Sequence, residues 1–135
     1  MYFVDSNIFL RFLTNDDPIK AKKCFSFFQR VECCEIEIAT TESCIAEVVY
    51  ILQSPKLYAL SPKQIREALL PILLLKNLIV VGKKQLIQAL DIMAEYSIDF
   101  EDCLLASYAK DQPEGIIMSY DQDFDKISGT IRNEP

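Results

Sequence analysis

Short apolar runs alternate along the chain with stretches in which apolar residues recur every three or four positions. Tyr2-Phe3-Val4 predicts a buried strand that ends at Asp5, and Ile8–Leu13 a short helix. Asp17 before Pro18 is an N-cap followed by a first-turn proline. The helix it opens carries Ala21, Cys24, Phe25 and Phe28 on one face. Ile36–Ala39 alternates and predicts a second strand. Ile45, Val48, Val49 and Leu52 then keep helical spacing up to the Ser54-Pro55 break.

The same reading continues to the end of the chain. Ser61-Pro-Lys-Gln64 is a capping box, and Pro71 inside the following helix predicts a kink. Leu78–Val81 predicts a third strand closed by Gly82, and Lys83–Tyr96 an amphipathic helix. Asp99–Ala109 predicts a helix that is apolar nearly all round beyond its first turn, hence central and buried. Ile116–Met118 predicts a fourth strand, Asp121–Lys126 a helical turn, and Thr130-Ile131 a last edge strand. Strands alternating with helices predict an α/β fold, a three-layer α/β/α sandwich around a mostly parallel sheet of four to five strands. A length of 135 residues with half of them apolar fits one domain, residues 1–135, with a substantial core.

Composition then narrows the chemistry. There is no histidine, which excludes Ser-His-Asp and Cys-His catalysis and imidazole acid–base pairs. The five cysteines (Cys24, Cys33, Cys34, Cys44 and Cys103) form no Cys-x-x-Cys pair and read as reduced thiols. A net charge of −6 argues against a passive nucleic-acid coat protein. It leaves room for an enzyme that meets nucleic acid through a metal ion. The longest uncharged apolar run, Ala68–Leu75, is far short of a membrane span, and the N-terminal residues lack a signal-peptide pattern. The expectation is a cytoplasmic protein with no membrane partner.

In doubly wound α/β folds, ligands sit beyond the carboxyl ends of the strands. Asp5 follows the first strand and Asp121 follows the fourth. Asp99 and Asp102 open a helix, where the dipole favours carboxylates, and their i, i+3 spacing puts them on one side. Glu47 is the only charge between Glu42 and Lys56 and falls on an otherwise apolar row, which predicts a half-buried carboxylate in need of a cation. Each aspartate alone also reads as an ordinary cap or turn residue, and Glu47 faces solvent if the helical phase is shifted by one position. Gathered together without histidine or thiolate, they suit a hard, oxygen-loving ion, Mg²⁺ or Mn²⁺. Such an ion activates water and neutralises phosphoryl charge. Asp121-Gln-Asp123-Phe-Asp125 opens like an EF-hand loop, but Lys126 and Arg132 stand where Gly and Glu are required. The second Asp of haloacid-dehalogenase phosphatases is Asn7 here, and no glycine-rich phosphate loop occurs.

Four segments resemble the motifs of PIN domains, in order and along the whole chain. They are Val4-Asp-Ser-Asn-Ile-Phe-Leu-Arg-Phe-Leu13, Ala46-Glu-Val-Val-Tyr-Ile-Leu52, Asp99-Phe-Glu-Asp-Cys-Leu-Leu-Ala106 and Ile117-Met-Ser-Tyr-Asp-Gln-Asp-Phe124. The size and the Asp16-Asp17-Pro18 segment look most like VapC-type toxins of toxin–antitoxin pairs. The resemblance implies a Mg²⁺- or Mn²⁺-dependent endoribonuclease; a metal route uses no ribose 2′-hydroxyl as nucleophile, which would leave 5′-phosphate and 3′-hydroxyl ends. It implies Asp5, Glu47, Asp102 and Asp121 as the catalytic acids. The metal would be held by Asp5, Asp102 and Asp121, with Asp99 and Asp123 as accessory ligands. Ser6, Asn7 and Ser119 would be polar supports; Ser6 and Ser119 stand where Thr is usual, and Cys103 where Ala is common. It also implies an RNA substrate, a homodimer and a small antitoxin partner. A non-catalytic PIN-like binding module and a DNA structure-specific nuclease are the alternative readings. The cations available for RNA are Arg11, Lys20, Lys22, Lys23, Lys56, Lys63, Arg66, Lys83 and Lys84.

Overall fold

The computed structural model describes residues 1–135. Its elements run β1 (Tyr2–Phe3), α1 (Ser6–Leu13), α2 (Pro18–Glu32), β2 (Ile38–Ala39), α3 (Glu42–Gln53) and α4 (Pro62–Leu73). They continue with β3 (Leu78–Ile79), α5 (Lys83–Tyr96), α6 (Phe100–Lys110), β4 (Ile116–Met118), a 3-10 turn (Gln122–Lys126) and β5 (Ile131–Asn133).

The helix starts are set by side-chain caps. Asp17 accepts from the Lys20 amide with Pro18 at N1, and Thr41 accepts from the Cys44 amide. The Ser61–Gln64 capping box closes in both directions. The helix it opens runs on through Pro71 into its last turn. Gly82 stands at the N-cap of α5 with φ +74°, a left-handed conformation that favours glycine.

All strand pairings are parallel. β2 lies between β1 and β3, with Tyr2 opposite Ile38 and Ile38 opposite Leu78. β4 pairs with β5, with Ile117 opposite Arg132. The expectation of one sheet of four to five strands is corrected: the strands hydrogen-bond as two separate sheets, of three and two strands. Each strand is only two or three residues long, so each pairing rests on few ladder bonds. β1 is thereby an edge strand, and its expected burial fails. Phe3 is 83% exposed, and only Val4 of the Tyr2-Phe3-Val4 run is buried.

One continuous cluster of buried side chains runs from Val4 to Ile127. The predicted stripe of α3, Ile45, Val48, Val49 and Leu52, is fully buried. α6 is less central than its composition suggests. Phe100, Cys103, Ala106 and Ser107 face inward while Leu105 and Tyr108 are exposed, because a helix against one core has an outer face whatever its residues. Because β1, β2 and β3 are parallel, Asp5, Thr41 and Gly82 all leave the sheet at the same end. Thr40 ties two of these exits together by donating to the Val4 carbonyl at 2.8 Å.

Candidate carboxylate site

Asp5 follows β1 and caps α1. Its Oδ1 accepts from the Ile8 amide at 3.2 Å, and the side chain is exposed. Ser6 beside it is buried and Asn7 is exposed. Asp121 follows β4 and caps the 3-10 turn, with Oδ1 accepting from the Asp123 amide at 2.9 Å. Ser119 Oγ accepts from the Asp121 amide at 3.0 Å, and the Arg132 guanidinium donates to the Ser119 carbonyl at 2.8 Å. Capping and ligation therefore do not exclude each other here: a carboxylate that spends one oxygen on a backbone amide is held in place and keeps the other.

Asp99 stands at the N-cap of α6 but makes no capping bond. One turn on, Asp102 is half-buried. Its carboxyl is pushed above the ordinary aspartate range, first by burial and then by the like charges of Asp99, Asp121, Asp123 and Glu101. The structure thus brings Asp99, from the N-cap of α6, and Asp121 and Asp123, from the segment after β4, to bear on Asp102. Asp123 is already partnered: Lys126 Nζ lies 2.6 Å from its Oδ1. Burial pushes the neighbouring Cys103 thiol up to about 12, with Asp102 and Asp99 adding to the shift, so it is not a thiolate at neutral pH.

Glu47 corrects the sequence reading. It is exposed on α3, because Ser43 and Tyr50, one turn away on either side, also face solvent while Ile45, Val48, Val49 and Leu52 take the core. The apolar row proved to be a rim of half-buried residues, Cys44 and Ile51, rather than a buried wall. α3 nevertheless flanks the acids. A cavity of about 210 Å³ between α3 and α6 is lined by Ala46, Val49, Tyr50, Gln53, Asp99, Phe100 and Glu101.

Two contributors were missed from sequence. Glu101 adds to the charge on Asp102, and Lys126 pairs with Asp123; the signal for Lys126 was its i+3 spacing from Asp123 on a helical turn. Several expected RNA-binding cations are committed elsewhere. Lys83 donates to the Leu75 and Leu78 carbonyls, and burial lowers its pKa. Arg66 pairs with Asp91, Lys84 with Asp111 and Lys20 with Asp17.

The donor set is oxygen-only, which fits a hard divalent cation. No three Asp, Glu or Cys side chains converge closely enough to enclose one as they stand. No helix is long and apolar enough to cross a membrane. A family model described as "PIN domain" matches residues 2–129. No curated protein matches the chain.

Proposed function

The chain belongs to the PIN-domain family, and from that premise we propose that it is a Mg²⁺- or Mn²⁺-dependent endoribonuclease, the toxin of a VapC-type toxin–antitoxin pair. PIN domains are usually nucleases that work with divalent metal ions. The observation that carries the finer reading is the loading of Asp102: a half-buried carboxylate, its pKa raised by burial and by four neighbouring carboxylates, at the mouth of an α/β fold. Such a concentration of negative charge is relieved by a cation.

In this reading Asp5, Asp102 and Asp121 hold the ion, with Asp99 and Asp123 as further oxygen donors, and Glu47 completes the catalytic acids. The ion supplies an activated water and neutralises charge on the phosphate. The chain's own residues do the positioning. Asp5 and Asp121 are each fixed through one oxygen by a backbone amide, and Ser119 fixes the loop that carries Asp121. Ser6 and Asn7 support Asp5 from the first turn of α1. Water, not the ribose 2′-hydroxyl, attacks phosphorus, so the products carry 5′-phosphate and 3′-hydroxyl ends. A single domain over residues 1–135, working in the cytoplasm as a homodimer and silenced by a small antitoxin, completes the proposal.

A second reading, a non-catalytic PIN-like module for protein contacts, is favoured by one observation: the acids do not converge to metal-binding distance. Incubation with total cellular RNA separates the two. The nuclease reading expects cleavage with Mg²⁺ or Mn²⁺, none in EDTA, and none by Asp102→Asn. RNA left intact by wild type under all conditions would favour the module.

A further inference from the structure

Four of the six tyrosines have a partner. The Tyr2 ring packs edge-on against Phe27. The Tyr58 hydroxyl donates to Asp16, the Tyr108 hydroxyl donates to Glu42, and the Tyr96 hydroxyl accepts from the Ser128 amide. Tyr50 and Tyr120 have none: neither ring packs on another aromatic ring, and neither hydroxyl takes part in a hydrogen bond. They are 76% and 71% exposed, so each leaves most of an aromatic face in water.

Their positions are not random. Tyr50 lies one turn beyond Glu47 on α3 and lines the cavity it shares with Asp99 and Glu101. Tyr120 immediately precedes Asp121 in the loop after β4. Asp121 in turn bears on Asp102, in the first turn of α6. Tyr50 thus shares a cavity with Asp99 and Glu101, and Tyr120 is the chain neighbour of the acid that reaches Asp102 from the loop after β4.

We propose that Tyr50 and Tyr120 are base-stacking platforms that seat the nucleotides on either side of the phosphate presented to the acids. The assignment rests on the nuclease reading above and adds to it the residues that hold substrate. Every base has a π-face, so stacking grips a single strand without sequence readout and without positive charge. That suits a surface of net charge −6 whose Lys83, Arg66 and Lys84 are engaged elsewhere. A duplex keeps its bases stacked on one another and offers these rings nothing.

The test is steady-state cleavage of a single-stranded RNA oligonucleotide in Mg²⁺ by wild type, Tyr50→Ala, Tyr120→Ala and the two Phe variants. Loss of one stacked base should raise KM about 5- to 150-fold. kcat and the melting temperature should stay near wild type, and Phe at either position should restore KM, since the ring and not the hydroxyl makes the contact. Wild-type cleavage with unchanged KM in either Ala variant would overturn the assignment and leave the nuclease reading standing. So would a raised KM that Phe does not restore. Absence of cleavage by wild type would overturn both.

Discussion

Lys126 Nζ lies 2.6 Å from Asp123 Oδ1, three residues apart on the turn that follows β4. One of the acids facing Asp102 is thus already neutralised by the chain itself. The hydrogen bond and charge of Asp123 raise the Lys126 pKa, and Asp121 adds to it, so this ammonium stays charged through the physiological range. The pair is exposed, and it bears on the charge balance of the site far more than on stability.

Lys126→Ala is therefore expected to free Asp123, to increase the negative charge felt by Asp102, and to tighten Mg²⁺ binding several-fold at low ionic strength. Titration of Mg²⁺ against the melting temperature of both proteins checks this. Equal midpoints for the two would place Asp123 outside the ion's field.

Asp5→Asn is expected to keep the fold, because Asn caps a helix as well as Asp does and can accept from the Ile8 amide in the same way. The substitution removes the charge that would hold the ion. Loss of several kcal/mol of transition-state stabilisation corresponds to at least about a 10³-fold fall in the cleavage rate. Circular dichroism and single-turnover cleavage of a labelled RNA measure the two halves. A folded Asp5→Asn that cuts at the wild-type rate would remove Asp5 from the site.

The pH dependence follows from Asp102. Its folded pKa lies above its unfolded value near 4. The folded state binds the proton more tightly, so the metal-free protein loses stability as pH rises from about 4 through the raised value. Asp102→Asn removes the penalty and should melt higher than metal-free wild type at pH 7. Mg²⁺ at a hundredfold excess over Kd should stabilise wild type by about 2.7 kcal/mol and the variant by less. Thermal melts from pH 4 to 8, with and without Mg²⁺, read all three effects. A variant that melts lower than metal-free wild type, with identical Mg²⁺ shifts, would contradict the clustering.

Gly82→Ala tests how the strand ends are held. A Cβ at Gly82 would overlap Glu42 Oε2 and the Tyr108 hydroxyl, whose hydrogen bond at 2.6 Å ties α3 to α6. The left-handed backbone adds about 1–2 kcal/mol for a non-glycine residue. Denaturant unfolding should show a loss of at least that size, and an unchanged midpoint would mean the loop relaxes freely.

Much of this was legible along the chain. α5 and β4 fall where hydrophobic period and glycine punctuation place them, and the Thr41 and Ser61 caps mark α3 and α4. Asp5 and Asp121 lie beyond strand ends as expected, and Asp102 feels the charges of Asp99 and Asp121. What escaped depends on long-range packing. Periodicity puts Glu47 on an otherwise apolar row but does not say how wide the core contact of α3 is, and the contact stops one row short. Nor does the Tyr2-Phe3-Val4 run reveal whether a strand has neighbours on one side or two; β1 has one, and Phe3 is left in solvent. Lys83 reads as a surface cation until the loop before β3 folds back to present the Leu75 and Leu78 carbonyls to it.

The most direct test of the central claim is the chemistry of the cut ends. A defined single-stranded RNA is incubated with the purified protein in Mg²⁺, and the products are mapped for 5′-phosphate, 3′-hydroxyl and 2′,3′-cyclic phosphate. A carboxylate site that directs an activated water at phosphorus, in a chain with no histidine, predicts 5′-phosphate and 3′-hydroxyl ends that vanish in EDTA and in Asp102→Asn. Cyclic phosphate ends, or cutting that persists in EDTA, would contradict it.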